Sequence, residues 1–402
     1  MPLLTAVLVV GIYAAIAIGR VPYLRMNRAQ IALVGAALLV LVGALSEEQA
    51  LRSLDMGTIL LLGAMMVLNV NLRLSGFFRW VGVYTLRMGR SPRSLLALII
   101  AASGVLSALF LNDPVCLMFT PLVVELTLRL KRNPVPYLVG LGAAANVGSV
   151  ATITGNPQNI IIGQASKIPY LEFLAYLGPV ALVGLVICWI VILYIYRQEF
   201  ATPLTRVELP APRTYNPLLA RTIGVTAALL AAFLVGVPIV TATCIAAGAL
   251  MLSRLRPQKL LALEWDLLAF FAGLFVVTGA IEATGLSEQL FAAVSPILKS
   301  GIPAFTVVTG VLSNVVSNVP AVLLMRPEIA SFPDPHQAWL VLAMASTLAG
   351  NFTLLGSAAT LIVAEVAAAG GVRLGFVEYL KAGIPITILT LIAGVAWLSA
   401  VT

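Results

Sequence analysis

Apolar runs of roughly 20 residues, the length of helix needed to cross a hydrocarbon core of about 30 Å, recur along the chain from Leu3 to Ala400. Lipid cannot hydrogen-bond an open backbone, so runs of this kind are expected to be helices. Of the 402 residues, 60% are apolar and 10% charged, too few polar groups to cover a soluble surface. The expected class is therefore an all-α polytopic membrane protein with no separate soluble domain. Leu3 to Ile18 runs into Arg20 without a basic leader and reads as the first span rather than a cleaved signal. Cys116, Cys188 and Cys244 lie in apolar segments without metal-ligand spacing and read as small core hydrophobes.

Hydropathy predicts spans at 3–18, 29–45, 56–74, 137–162, 171–196, 218–235, 238–253, 265–283, 337–369 and 379–400. Two further apolar stretches, 94–129 and 303–329, are each broken by an Asn-x-Pro turn and read as helical hairpins. The arms of the second, roughly 10 to 15 residues or about 15 to 22 Å of helix, favour re-entry. The longer arms of the first fit either a re-entrant hairpin or two full spans with a tight turn. In both cases five crossings precede the linker and five follow it, so the second half is expected upside down relative to the first. The domains are then a first inverted repeat over 1–197, a linker over 198–217 containing Pro203, Pro210, Pro212 and Pro217, and a second inverted repeat over 218–402.

All but Arg52, Lys167, Lys299 and Arg326 of the 24 lysines and arginines fall on the side opposite the N-terminus. By the positive-inside rule that side is cytoplasmic and both termini lie outside. The formal charge of +8 is thus topological, and no nucleic-acid partner is expected.

The two halves carry the same landmarks in the same order. Ser75-Gly76 matches Thr284-Gly285, and Ser107 with Asn112-Asp113-Pro114 and Pro121 matches Ser313 with Asn318-Val319-Pro320 and Pro327. Thr152-Ile153-Thr154-Gly155-Asn156 matches Thr353-Leu354-Leu355-Gly356-Ser357. Glu172-Phe173-Leu174 with Pro179 matches Glu378-Tyr379-Leu380 with Pro385. Inverted repeats with interrupted segments at matching positions point to a transport site where the breaks converge, because unwound backbone at membrane depth is tolerated only inside protein or beside a wet cavity.

The breaks carry the candidate chemistry. Asp113, beside Asn112, is the one acid expected near the midplane, where an ionisable group is costly and usually functional; a structural cap of the following half-helix is the competing reading. The matching position is Val319, so the second turn keeps the amide of Asn318 and drops the charge. From Ala144 to Asn159 the chain is too polar and too rich in helix breakers for a continuous span, with Gly155 and Pro157 opening the backbone. Freed carbonyls there can ligate a cation, and the next half-helix can present its N-terminus to a solute. Candidate solute- or ion-binding residues are Asn112, Asp113, Asn146, Thr152, Gly155, Asn156, Asn159, Ser317, Asn318, Thr353, Gly356, Ser357 and Thr360, with a sodium site conceivable near Asn112, Asp113, Gly155 and Asn156. Small-residue helix packing is the alternative for both interrupted spans. Glu125 and Glu365 read as surface partners of Arg129 and Arg373, His336 as a solvated loop residue and Cys116 as packing.

At Ser107 to Asp113, Gly148 to Asn159, Ser317 to Pro320 and Gly356 to Thr360 the sequence resembles the ion-transporter superfamily. This superfamily includes arsenite-efflux permeases, plant silicon-efflux transporters, sodium/proton antiporters and divalent-anion/sodium symporters. The Asn112-Asp113 turn and the run Gly155-Asn156-Pro157-Gln158-Asn159 are most similar to the arsenite and silicon efflux branch. Dicarboxylate symporters carry Ser-Asn-Thr at the hairpin tips and Pro-Pro-Asn in the unwound segments, which this chain does not. The resemblance implies a scaffold domain from the early spans, a transport domain from the hairpins and broken spans, an elevator-like motion and a homodimer. It leaves open an energising ATPase subunit. The expected function is export of a small oxyanion or metalloid hydroxide across a bacterial or archaeal inner membrane, with H+ or Na+ as coupling ion and no other cofactor. The alternative is sodium-coupled symport of a carboxylate or inorganic anion. An enzyme is not expected, since a lone histidine without paired intramembrane acids offers no catalytic dyad.

Overall fold

Four of the described helices begin where a short polar side chain precedes a proline. Ser91-Pro92, Asn133-Pro134, Asn156-Pro157 and Asp334-Pro335 each place a side-chain oxygen on a free backbone N–H of the first turn and a proline, which has no N–H to satisfy, at the first helical positions. The computed structural model describes residues 2–18, 26–203, 216–252, 263–285 and 300–402. Among them are 18 α-helices and no strand. In the first half these are α1 Pro2–Ile18, α2 Arg28–Leu41, α3 Glu47–Ser53, α4 Met56–Ser75, α5 Phe77–Met88, α6 Pro92–Leu109, α7 Asn112–Arg129, α8 Pro134–Ser149, α9 Pro157–Ser166 and α10 Tyr170–Ile195. The second half has α11 Asn216–Leu234, α12 Ile239–Met251, α13 Trp265–Ala283, α14 Ile302–Val316, α15 Asn318–Met325, α16 Pro335–Leu348, α17 Ala358–Ala369 and α18 Phe376–Val401.

Six helices, α4, α6, α10, α11, α13 and α18, are long and apolar enough to cross a membrane unaided. The remaining predicted spans are shorter apolar helices or the interrupted pairs α8/α9 and α16/α17. Both α4 and α13 end at a glycine in the left-handed region, Gly76 at φ 80° and Gly285 at φ 66°, the conformation that stops a helix without Cβ strain.

Packing separates two sets of helices. One joins α1, α2, α4, α11, α12 and α13, with α2 on α13 and α4 on α12 as the main contacts. The other is built around α8, which packs on α6, α7, α10 and α17, while α10 lies along α18. Every residue from Pro136 to Gly163 is buried, so the polar first break sits wholly inside protein. The two hairpins differ in size. The 18-residue arms α6 and α7 are each about 27 Å long, whereas α14 and α15 have 15 and 8 residues, about 22 and 12 Å.

Hydropathy assigned nothing to α3 or α5. The second of these is amphipathic, and its Phe77 and Phe78 meet Phe110 edge-on at 6.0 and 6.2 Å, clamping the tip of the first hairpin. His336 lies in the first turn of α16 rather than in a loop, with its Nε2 2.9 Å from Glu172 on α10. Glu125 pairs with Arg129 at 2.7 Å, but Glu365 is exposed and forms no ion pair with Arg373 among the described residues. Most of the linker, including Arg206, Pro210, Pro212 and Arg213, lies outside the described residues, as do Arg20, Arg25, Arg254, Arg256, Lys259 and Lys299.

Candidate functional site

Asn146, in the last turn of α8, links three of the four breaks. Its Oδ1 accepts from Asn112 Nδ2 at the first hairpin tip (3.0 Å). Its Nδ2 donates to Asn351 Oδ1 (2.8 Å) and Ser357 Oγ (2.7 Å), which flank the break between α16 and α17. Asn351 in turn donates to the Ala143 carbonyl on α8 (3.1 Å). All four side chains are buried, and a buried amide is tolerated there because these neighbours take up its hydrogen-bonding groups.

Residues 150–156 unwind between α8 and α9. Asn156 caps α9 by accepting from the Asn159 N–H (2.8 Å) and donates to Ser149 Oγ (2.9 Å) and Thr347 Oγ1 (3.2 Å). Asn159 closes the loop by donating to the carbonyls of Ser149 (3.1 Å) and Thr152 (2.9 Å). Thr152 Oγ1 donates to the Ala108 carbonyl on α6, and the Gly155 carbonyl accepts from the Asn112 N–H (3.0 Å). A Cβ on Gly155 would lie 2.3 Å from the Ser149 carbonyl oxygen, so the loop closes this tightly only on glycine.

In the second half Ser357 caps α17 by accepting from the Thr360 N–H (3.2 Å), and Thr360 Oγ1 donates to the Leu354 carbonyl (3.0 Å). At the hairpin tip Asn318 sits beside Ser313 Oγ at 2.6 Å. With its amide turned so that nitrogen faces the acceptors, it also reaches the carbonyls of Ser346 (3.2 Å) and Gly356 (3.3 Å). Ser317 forms the turn itself at φ 80°, ψ 159°. Unlike the first break, this one is partly open: Phe352, Leu355 and Ala358 are exposed.

The four breaks therefore form one hydrogen-bonded cluster. It includes Asn112, Asn146, Thr152, Gly155, Asn156, Asn159, Asn318, Gly356, Ser357 and Thr360. Thr353 contributes its carbonyl to the turn, accepting from the Gly356 N–H (3.1 Å). Asp113 is half-buried at the start of α7, one residue beyond the cluster. Gln158, Thr347 and Asn351 were not among the sequence candidates. Gln158 and Asn156 both donate to Thr347 Oγ1, from 3.1 and 3.2 Å. The signal that could have found them was the presence of amides and hydroxyls in otherwise apolar runs. Around this cluster two amide oxygens, Asn112 Oδ1 and Asn314 Oδ1, one near each hairpin tip, and the Ser107 hydroxyl at the end of α6 are buried and have no partner among the described residues. No lysine or arginine takes part in the cluster's hydrogen bonds among the described residues.

A family model described as citrate transporter (CitMHS) matches residues 13–349. The chain is 29% identical to the silicon efflux transporter LSI3 of Oryza sativa subsp. japonica, covering 93% of each. It is also 29% identical to a 46 kDa membrane protein of Mycobacterium leprae, over 93% of this chain and 94% of that protein. A putative transporter arsB of Dictyostelium discoideum is 22% identical over 93% of this chain and 87% of its own length.

Proposed function

Because the chain belongs to the citrate transporter family of membrane transporters, we propose that it is a secondary active transporter exporting a small oxyanion or neutral metalloid hydroxide, of the arsenite or silicic acid type, coupled to protons or sodium. The observation that carries this reading is the pair of unclaimed amide oxygens. An amide oxygen such as Asn112 Oδ1 suits a ligand that donates a hydrogen bond, such as an X–OH group, or a cation. A multivalent anion would instead call for donors or basic side chains, and the cluster's described hydrogen bonds include no such cation. The names of the rice and Dictyostelium relatives, silicon efflux transporter and arsB, agree with such cargo.

In this mechanism Asp113 takes up and releases the coupling cation. The cluster around Asn146 holds the hairpin tips and unwound segments as one body that carries solute between the two sides. The two packing sets support the division into a scaffold, made of α1, α2, α4, α11, α12 and α13, and a moving transport domain. The inverted-repeat topology, a bacterial or archaeal inner membrane with both termini outside, and a homodimer complete the reading.

The test is flux in proteoliposomes under imposed proton and sodium gradients, with arsenite and silicic acid as solutes. Asp113→Asn is expected to abolish gradient-driven accumulation while solute exchange persists. A second reading, sodium-coupled carboxylate symport, draws on the family's description as citrate transporters. Saturable sodium-driven uptake of citrate or succinate, with no response to arsenite or silicic acid, would decide for it.

A further inference from the structure

Asn69 stands apart from every other amide of the site. It lies on α4, in the helix set opposite the hairpins, is 5% exposed, and has neither its Oδ1 nor its Nδ2 paired among the described residues. A buried amide with both ends vacant is costly unless something else satisfies it. It lines a pocket between α4 and the first hairpin tip, whose wall includes Leu111 and Pro114, the residues that bracket Asn112 and Asp113. The mouth is formed by Arg73, one turn along α4, and by Glu264 at the start of α13, both exposed. The pocket volume is about 30 Å³, the scale of a water molecule or a small ion.

The charges around it are complementary to a single positive ion. On the described elements the charged residues lining the pocket are Arg73 from α4 and Glu264 from α13; Asp113 of α7, next to the lining residue Pro114, lies within electrostatic reach of Glu264 and brings the sum of the three to one net negative charge when all are ionised. Although Glu264 reaches solvent, partial desolvation beside the pocket raises its carboxyl above the usual range, and the Arg73 guanidinium offsets part of that rise. Because Glu264 both lines the pocket and reaches solvent, the mouth holds a carboxyl group that a cation can approach from outside. The amide oxygen of Asn69 on the floor supplies a neutral ligand.

We propose that this pocket is a binding site for the coupling cation, a protonated water or a sodium ion held between the Glu264 carboxylate and the Asn69 amide oxygen on its way to or from Asp113. The proposal rests on the cation-coupled transport proposed for the chain and deepens it. The site joins the two helix sets, so cation occupancy would couple the hairpin tip to α4 and α13 on the side where Arg73 emerges.

The test needs no transported solute. The full-length protein, purified in detergent, is titrated with sodium chloride against choline chloride, and separately with pH, while its thermal unfolding is followed. Wild-type protein is expected to show a saturable rise in Tm with sodium or with acidification. Asn69→Leu and Glu264→Gln should each lose that rise or need at least fivefold more cation. Asn69→Asp, which places a carboxylate on the floor, should need at least fivefold less, and it keeps the test decisive should Asn69→Leu fail to fold. Saturable shifts unchanged in all three variants, or no saturable shift in wild type with either cation, would overturn the site. If gradient-driven transport is present while the variants bind normally, this site falls and coupled transport stands. If instead the wild type and variants shift as expected but flux ignores both gradients, the cation site stands and coupled transport falls.

Discussion

Asn146 on α8 and Asn351 in the second break share a hydrogen bond of 2.8 Å across 205 residues of sequence, and through it two interrupted spans from opposite halves are tied into one unit. Asn146 also holds Asn112 and Ser357. Asn146→Ala would leave two buried groups, Asn112 Nδ2 and Asn351 Oδ1, without a partner, while Ser357 Oγ keeps its bonds to Thr360, at about 1–3 kcal/mol for each group left unsatisfied, although polar contacts between membrane helices average nearer ~0.6 kcal/mol. The expected result is a Tm several degrees lower in detergent and loss of solute exchange as well as of coupled flux. Exchange at the wild-type rate would show that the amide bridge does not hold the site together.

Helices α6 and α8 meet backbone to backbone at Gly104 and Gly148. A Cβ on Gly148 would lie 2.1 Å from the Gly104 carbonyl oxygen and 2.4 Å from its Cα. Those atoms are backbone and cannot rotate away, so Gly148→Ala must push two helices apart. Overpacking of this kind costs about 1–3 kcal/mol where side chains can yield, and more is expected here, seen as poor expression or early aggregation on size-exclusion chromatography. Gly224→Ala on α11, where nothing lies within 4 Å, is the matched control. It should be neutral or slightly stabilising, by up to about 1 kcal/mol from helix propensity.

This contrast also marks what was legible in the sequence. Hydropathy and proline position locate the spans and breaks, because a proline lacks an N–H and an apolar run needs lipid or core wherever it sits. Asn146, Asn156 and Ser357 were readable as site candidates for the same reason: an amide or hydroxyl beside a helix break must find partners. Their actual partners were not readable, since Thr347 and Asn351 are ordinary polar residues until folding brings them within hydrogen-bonding distance of another break. Nor was α5, whose polar and aromatic residues alternate at a helical period over a stretch too short to register as a span. Asn69 escaped for the opposite reason: it and Asn71 are the two amides of a strongly apolar helix and look like tolerated noise, and only Asn69 has both side-chain polar atoms vacant among the described residues.

Ser317 separates a backbone role from a side-chain role at the second hairpin tip. Its φ of 80° with ψ of 159° belongs to a region that is almost glycine's alone, at a cost of order 1–3 kcal/mol for other residues. Ser317→Gly should therefore raise Tm. If solute affinity is unchanged, the serine matters only as a turn, whereas a rise in the half-saturating solute concentration of fivefold or more would place its hydroxyl against the solute. Ser317→Val adds a branched Cβ to the same strained conformation and is expected to lower Tm.

The buried ion pair between Arg132 and Glu199 holds the end of the first hairpin to the start of the linker. The side chains are 9% and 15% exposed and meet at 3.0 Å. Arg132 also donates to the carbonyls of Glu199 (2.7 Å) and Thr202 (2.8 Å). Removing one member strands the other in a poorly solvated place, which typically costs about 3–5 kcal/mol. Arg132→Leu is thus expected to destabilise the protein strongly. Arg52→Leu, which removes a pair exposed at 77% and 74%, should cost less than about 1 kcal/mol. The double variant Arg132→Leu/Glu199→Leu should recover part of the loss, because it removes both charges; it cannot recover all of it, since the part-buried backbone carbonyl of residue 199 loses the donor that Arg132 supplied. Thermal unfolding of the three variants against wild type checks the order, and equal losses for Arg132→Leu and Arg52→Leu would show that this junction does not fasten the hairpin.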